Sequence, residues 1–196
     1  MNILIAIDSL SGGGAEKVML TLASEFVQLG HQCHVLALGG TSSDHELPPS
    51  VNVHFLQSKG SYQQTFPASL LKNYLNAMVS EYGTFDLHIS NLEKTNLAFA
   101  SIGLPRTLYV VHNSVKHTLN IRWKQPVKWW LIRRSLKALS GKDLIAVSNG
   151  VADGIRSSAL ITPRSLRVIH NPLDRSAISR LANMDAEDLP EEDYFV

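Results

Sequence analysis

The chain has 196 residues, 44% of them hydrophobic, and a formal net charge of +1. That suits one well-packed domain, or one and a fraction, and the near-neutral balance gives no global case for nucleic acid. The single cysteine, Cys33, excludes an intramolecular disulfide. No apolar stretch reaches the ~18–20 residues of a membrane span, and the N-terminus lacks the marks of a signal peptide, so a cytoplasmic protein is expected.

The first strand spans 2–8 and is apolar from Ile3 to Ile7, as a strand buried on both faces should be. A turn with Gly12, Gly13 and Gly14 follows. A helix over 15–29 carries Met19, Leu22, Ala23 and Phe26 at helical spacing, and Gly30 stops it. Strands are predicted at 32–38 and 51–56, with Cys33 a buried thiol in the first of them. A polar loop, 57–66, leads into a helix over 67–82 that ends at Gly83. Strand 86–90, helix 93–102 and strand 107–112 come next. A helix over 126–140 has Pro126 in its first turn, followed by strand 143–147, helix 149–158 and strand 166–169. Alternating strands and helices predict a Rossmann-like, doubly wound parallel sheet in three αβα layers. This domain is expected to end at residue 170. Residues 171–193 have no clear period and read as a linker, and Tyr194-Phe195-Val196 reads as the start of a further domain.

In such sheets ligands bind beyond the carboxyl ends of the strands. Asp8 to Gly14, His112-Asn113-Ser114, Ser148-Asn149 and His170-Asn171 all fall there. The contiguous glycines do not fit the dinucleotide fingerprint, and no Gly-Lys-Ser/Thr ending makes a P-loop. Two readings of the glycine turn remain open: a tight strand-to-helix connection, or a loop that lets a phosphate or sugar approach the backbone at a helix N-terminus. Glu16 likewise reads either as a carboxylate favoured by the helix dipole or as a functional group. His112 is either a satisfied loop histidine or a residue facing the ligand crevice. No His, Cys or Asp cluster has metal-ligand spacing, so no tightly bound metal is expected. No carboxylate pair supports a double-displacement glycosidase.

Taken in order, Gly12-Gly13-Gly14-Ala15-Glu16, Val111-His112-Asn113, Ala146-Val147-Ser148 and Val168-Ile169-His170-Asn171-Pro172-Leu173-Asp174 resemble the N-terminal domain of a family 4 (group 1) retaining glycosyltransferase of the two-domain GT-B architecture. The resemblance implies transfer of a sugar from a nucleotide sugar (UDP- or GDP-linked) to an acceptor hydroxyl with retention, and no tightly bound cofactor. It implies that backbone amides near Gly13 and Gly14 approach the donor diphosphate and the reaction centre, and that His112 contacts the transferred sugar or helps shape the acceptor side. It also implies that Glu16 and Asn171 line the interdomain cleft. Asn113 is assigned to the acceptor side. The 57–66 loop follows the third strand on the ligand side, so Lys59 and Tyr62 read either as acceptor contacts or, more plainly, as part of a mobile polar loop. The acceptor class the resemblance suggests is a lipid-linked glycan or a lipopolysaccharide or capsule precursor. In that family the C-terminal domain brings a basic pair for the diphosphate and two glutamates eight residues apart. Neither is in this sequence, so these 196 residues alone are expected not to transfer sugar efficiently. A non-catalytic nucleotide- or membrane-binding module is the alternative. A sugar-nucleotide epimerase of similar architecture fits the His112-Asn113 and Asn171-Pro172 pairs less well.

Charge is unevenly placed. Residues 122–142 hold seven of the 18 basic residues and none of the 17 acids, while six acids crowd between Asp185 and Asp193. Around helix 126–140, Arg133, Lys137, Trp130 and Arg134 share one face, and Val127, Leu131, Ile132, Leu136, Ala138 and Leu139 fall largely opposite, broken only by Lys128 in the first turn. With Trp123 just upstream, this face predicts docking on an anionic membrane surface, peripheral on the cytoplasmic side of an inner membrane. An ordinary solvated face is the plainer reading.

Overall fold

A computed structural model describes residues 1–56, 67–115, 126–172 and Ser179. Its centre is a seven-stranded sheet: β1 (Asn2–Ile7), β2 (Gln32–Ala37), β3 (Asn52–Phe55), β4 (Leu87–Asn91), β5 (Thr107–Val111), β6 (Asp143–Ala146) and β7 (Ser165–Val168). The order across the sheet is β3-β2-β1-β4-β5-β6-β7, and every pairing is parallel. Five helices connect the strands: α1 (Gly14–Gln28), α2 (Ala68–Tyr82), α3 (Glu93–Ile102), α4 (Pro126–Ala138) and α5 (Asn149–Ser157).

All six residues of β1 are buried, and alternation sorts them between two cores. Ile3, Ile5 and Ile7 pack with Met19, Leu20 and Ala23 of α1. Leu4 and Ala6 join the opposite core, to which α2 brings Leu71 and Leu75, α3 Phe99, α4 Leu136 and α5 Ile155. The sheet is therefore covered on both faces, which is why its central strand β1 reads as a near-continuous apolar run. Cys33 is buried in the α1 core, and burial pushes its thiol up to about 12, so it stays unreactive.

The predicted elements are all found, with ends moved by a residue or two. At α1 the stop is a Schellman turn. Gly30, at φ +82°, donates to the Val27 carbonyl at 2.9 Å, and His31 donates to Phe26 at 3.0 Å. The His31 ring lies 6.3 Å from that of Phe26, the contact that accompanies this motif. Helix α4 ends short of the predicted 140 because Leu139 and Ser140 bond three residues back, to Leu136 and Lys137, a tightened last turn.

From β1 the chain winds outward to β2 and β3, then returns to β4 and winds the other way to β7. The reversal sits between β1 and β4, so the ligand crevice of this fold class opens at their carboxyl ends. The predicted linker and the run 194–196 lie outside the described residues, apart from Asn171, Pro172 and Ser179.

Candidate functional site

Three strand ends meet at the reversal. Asp8 follows β1, Asn91 closes β4, and His112 follows β5. β4 lies between the other two, which puts Asp8 and His112 about two strand spacings apart, ~10 Å.

Asp8 does not point a free carboxylate into the crevice. Its Oδ1 accepts from the Thr95 backbone amide at 2.7 Å and from the Thr95 hydroxyl at 2.6 Å. Thr95 is the third residue of α3, so a carboxylate from β1 caps that helix from outside, where its dipole favours negative charge. Burial raises the pKa of Asp8, and the bonds from Thr95 oppose the rise. Beside it, the Ser90 hydroxyl donates to Asn96 Oδ1 at 2.7 Å, and Asn96 Nδ2 donates to the Val110 carbonyl at 3.0 Å. Ser90, Thr95 and Asn96 are all buried, so the floor of the crevice is a satisfied polar network.

The upper layer is held by two side-chain pairs. His112 Nε2 lies 3.3 Å from Asn91 Oδ1, and Asn113 Nδ2 donates to Glu93 Oε1 at 2.8 Å. Together they tie the β4–α3 turn to the segment after β5. Burial lowers the pKa of His112, with the Glu93 charge opposing. Between the two pairs Leu92 adopts φ +67° and ψ +167°, a region populated almost only by glycine and costing about 1–3 kcal/mol for other residues. An open cavity of about 390 Å³, counting its mouth, lies alongside and is lined by Leu92, Asn96, His112, Asn113, Ser135 and Leu136.

The glycine turn opens α1 on the same edge of the sheet. Gly13 is the residue before the helix, and Glu16 is buried with its carboxyl group folded against Gly13. A Cβ added there would come within 2.7 Å of Glu16 Cδ. The Glu16 carboxylate thus occupies the helix N-terminus itself. Gly14 has nothing within 4 Å of an added Cβ, so its approach is open. Asn171 is exposed, three residues beyond β7.

On α4, Trp130 is 54% exposed. Arg134 lies over its ring at 5.7 Å, and Arg133 lies over Trp129 at 5.3 Å. These are cation–π contacts; the ion pairs among the described residues, Arg156–Asp153 and Arg164–Asp143, lie elsewhere. Lys137 is exposed on the same helix. Lys59, Tyr62 and Trp123 lie outside the described residues.

The residues that sequence reasoning missed are Asn91, Glu93, Thr95 and Trp129. For Asn91 there was one signal, the polar pair Ser90-Asn91 closing an otherwise apolar strand. Among the described residues no three His, Cys, Asp or Glu side chains come together as a metal site, and no helix is long and apolar enough to cross a membrane.

The sequence pattern of Glycosyltransferase Family 4 matches residues 12–177. The chain belongs to that family, and its fold is that of the N-terminal domain of a GT-B glycosyltransferase. It is similar to sucrose-phosphate synthase from Thermosynechococcus elongatus, with a TM-score of 0.69 at 14% identity over 95% of this chain and 53% of that one. A second structure of that synthase gives 0.60 at 12% identity, over 93% of this chain and 95% of that one. The apo form of UGT2 from Phytolacca americana gives 0.52 at 11% identity, over 94% and 55%. The chain thus spans about half the length of the first synthase structure. No curated protein sequence matches it.

Proposed function

We propose that this chain is the acceptor-side half of a retaining glycosyltransferase that moves a sugar from a nucleotide sugar to an acceptor hydroxyl. The observation that carries the reading is the corner at the strand reversal, where Asn91 and Glu93 hold His112 and Asn113 at the mouth of the crevice. His112 contacts the transferred sugar, and Asn113 faces the acceptor together with Lys59 and Tyr62 of the 57–66 loop. The open backbone at Gly14 receives the donor diphosphate, with Gly13 beside it. A diphosphate and the Glu16 carboxylate carry like charge and compete for one helix end, so donor entry moves Glu16 off Gly13. Asn171 lies on the rim toward a second domain that completes the nucleotide site.

Retention without an enzyme nucleophile implies a front-face route. The leaving phosphate takes the acceptor proton as the glycosidic bond forms, and the surrounding dipoles stabilise the charge that grows on that phosphate. Basic groups of the second domain supply much of this stabilisation, so the 196 residues alone turn over slowly or not at all. The test is transfer of labelled sugar from UDP- and GDP-sugars, with this chain alone and with the longer protein that its coding frame specifies. Activity of the longer protein that falls at least about 100-fold in His112→Ala supports the reading. Ordinary turnover by the chain alone, or a stop codon directly after Val196, refutes the half-enzyme assignment.

The α4 face supports a finer proposal, that the acceptor is lipid-linked and the domain docks peripherally on an anionic membrane. Trp130 is positioned to enter the headgroup region, and Arg133, Arg134 and Lys137 each gain ~1 kcal/mol near such a surface. Co-sedimentation with anionic vesicles tests it. Binding unchanged when all three cations become Glu would refute it. Docking without any transfer activity in the longer protein would favour the binding-module alternative.

A further inference from the structure

We propose that Asn91 is a positioning residue: it holds the His112 ring as the Nε2–H tautomer and leaves Nδ1 a bare acceptor for a ligand hydroxyl. Asn91 is fully buried, and its amide orientation is set by its neighbours. Asn91 Nδ2 lies 3.2 Å from the Ala6 carbonyl oxygen and 3.4 Å from that of Ile89. Both oxygens only accept, so the NH₂ end of the amide must face them. Oδ1 is thereby turned to His112 Nε2, 3.3 Å away. An amide oxygen also only accepts, so Nε2 must carry the hydrogen. A neutral imidazole has one N–H, and Nδ1 is left with its lone pair. Nδ1 has no hydrogen-bond partner among the described residues, and His112 is half-buried and lines the cavity beside Leu92. The orienting signal starts in the backbone of β1 and β4, so the sheet itself sets the tautomer.

The consequence is chemical selectivity. A bare ring nitrogen receives a hydroxyl hydrogen and repels the oxygens of a phosphate or carboxylate, which bring lone pairs and charge. His112 is therefore fitted to a sugar hydroxyl and not to the diphosphate. Burial favours the same neutral form, with Glu93 as the charged group that opposes it. Which hydroxyl is received rests on the transferase reading above; the tautomer does not.

The test is ¹⁵N-histidine labelling of the 196-residue chain, with two-bond proton–nitrogen correlations read at pH 7.5. The expected result is Nε2 at the shift of a protonated ring nitrogen, Nδ1 at that of a bare one, and no movement of Nδ1 on adding inorganic phosphate. An Nδ1–H ring, an average of both tautomers, or a phosphate-induced shift of Nδ1 overturns the proposal. Asn91→Asp is the second arm. It keeps an acceptor oxygen and adds a charge, so the His112 pKa should rise by about 1 unit or more while Nε2–H persists. An unmoved His112 titration in the folded variant would show that the two side chains do not meet. The unsubstituted chain decides the tautomer even where that variant fails to fold. Neither readout needs sugar transfer, so failure of the transferase reading and failure of this inference are separately visible.

Discussion

The corner at the strand reversal and the outer face of α4 are both rich in polar groups, but they use them in opposite ways. At the corner, Asp8, Ser90, Asn91, Glu93, Asn96 and Asn113 each have a partner within this chain. On α4, Arg133 and Arg134 rest on tryptophan rings and have no carboxylate among the described residues. The corner is organised before any ligand arrives, so what it does to a ligand is fixed by the fold. The α4 face keeps its charge available, so it gains only when an anionic partner comes. Substitutions at the corner should therefore be read in stability, and substitutions on α4 in binding.

The largest stability effect is expected at Asp8. Asp8→Ala removes the acceptor of the Thr95 amide and hydroxyl and uncaps α3, while Thr95 stays buried. Hydrogen bonds to a charged group contribute ~1.5–3 kcal/mol, so a loss of about 2–3 kcal/mol is expected in urea unfolding. Asp8→Asn keeps an acceptor and should lose less than half as much. Equal losses for the two variants would show that packing, not the cap, is what matters there.

A smaller effect isolates the strained turn. Leu92→Ala and Leu92→Gly both remove the half-buried side chain, but only glycine is at ease at φ +67°. The glycine variant should be the more stable of the two by about 1 kcal/mol. The ordinary order, alanine above glycine, would mean that the turn relaxes in solution.

The corner should also show in the slope of stability with pH. The folded pKa of His112 is lowered by burial from its ordinary 6.5. The unfolded chain then binds the proton more readily, so this contribution is full above pH 6.5 and is lost as pH falls through that value toward the folded pKa. His34, His54 and His88 are shifted in the same direction, so these four histidines together lower stability as pH falls from 7.5 to 5.5. His112→Gln should flatten the decline without abolishing it. An unchanged slope between pH 7.5 and 5.5 would place His112 in water.

Much of this architecture was legible in the sequence, for a physical reason. A parallel strand covered on both faces is largely apolar, and a helix beside it carries an apolar stripe, so both periods stand out. His112 was legible as a strand-end residue. Its partner was not, because the Asn91–His112 contact depends on β4 and β5 being neighbours in the sheet. The Asp8–Thr95 cap joins residues 87 apart and needs β1 beside β4, an order that no local pattern carries. Leu92 shows the reverse problem: a positive φ announced by glycine can be read, but one imposed on leucine cannot. The α4 pairs were within reach, since Trp129–Arg133 and Trp130–Arg134 are both four apart, a spacing at which helical side chains meet.

The smallest stability effect is expected on α4, and its smallness is the point. Each exposed cation–π contact contributes ~0.5–1 kcal/mol, and reversing charge on an exposed face adds little. Arg134→Ala should cost no more than about 1 kcal/mol in the same unfolding assay that loses 2–3 at Asp8. If α4 were another preorganised element, the loss would approach that of the corner. If it is a surface held for an anionic partner, Arg134→Ala should leave the fold nearly unchanged and weaken binding to anionic vesicles several-fold, more so at low salt, where the Debye length is longer. A variant that loses stability but keeps vesicle binding would reverse the contrast between the two regions.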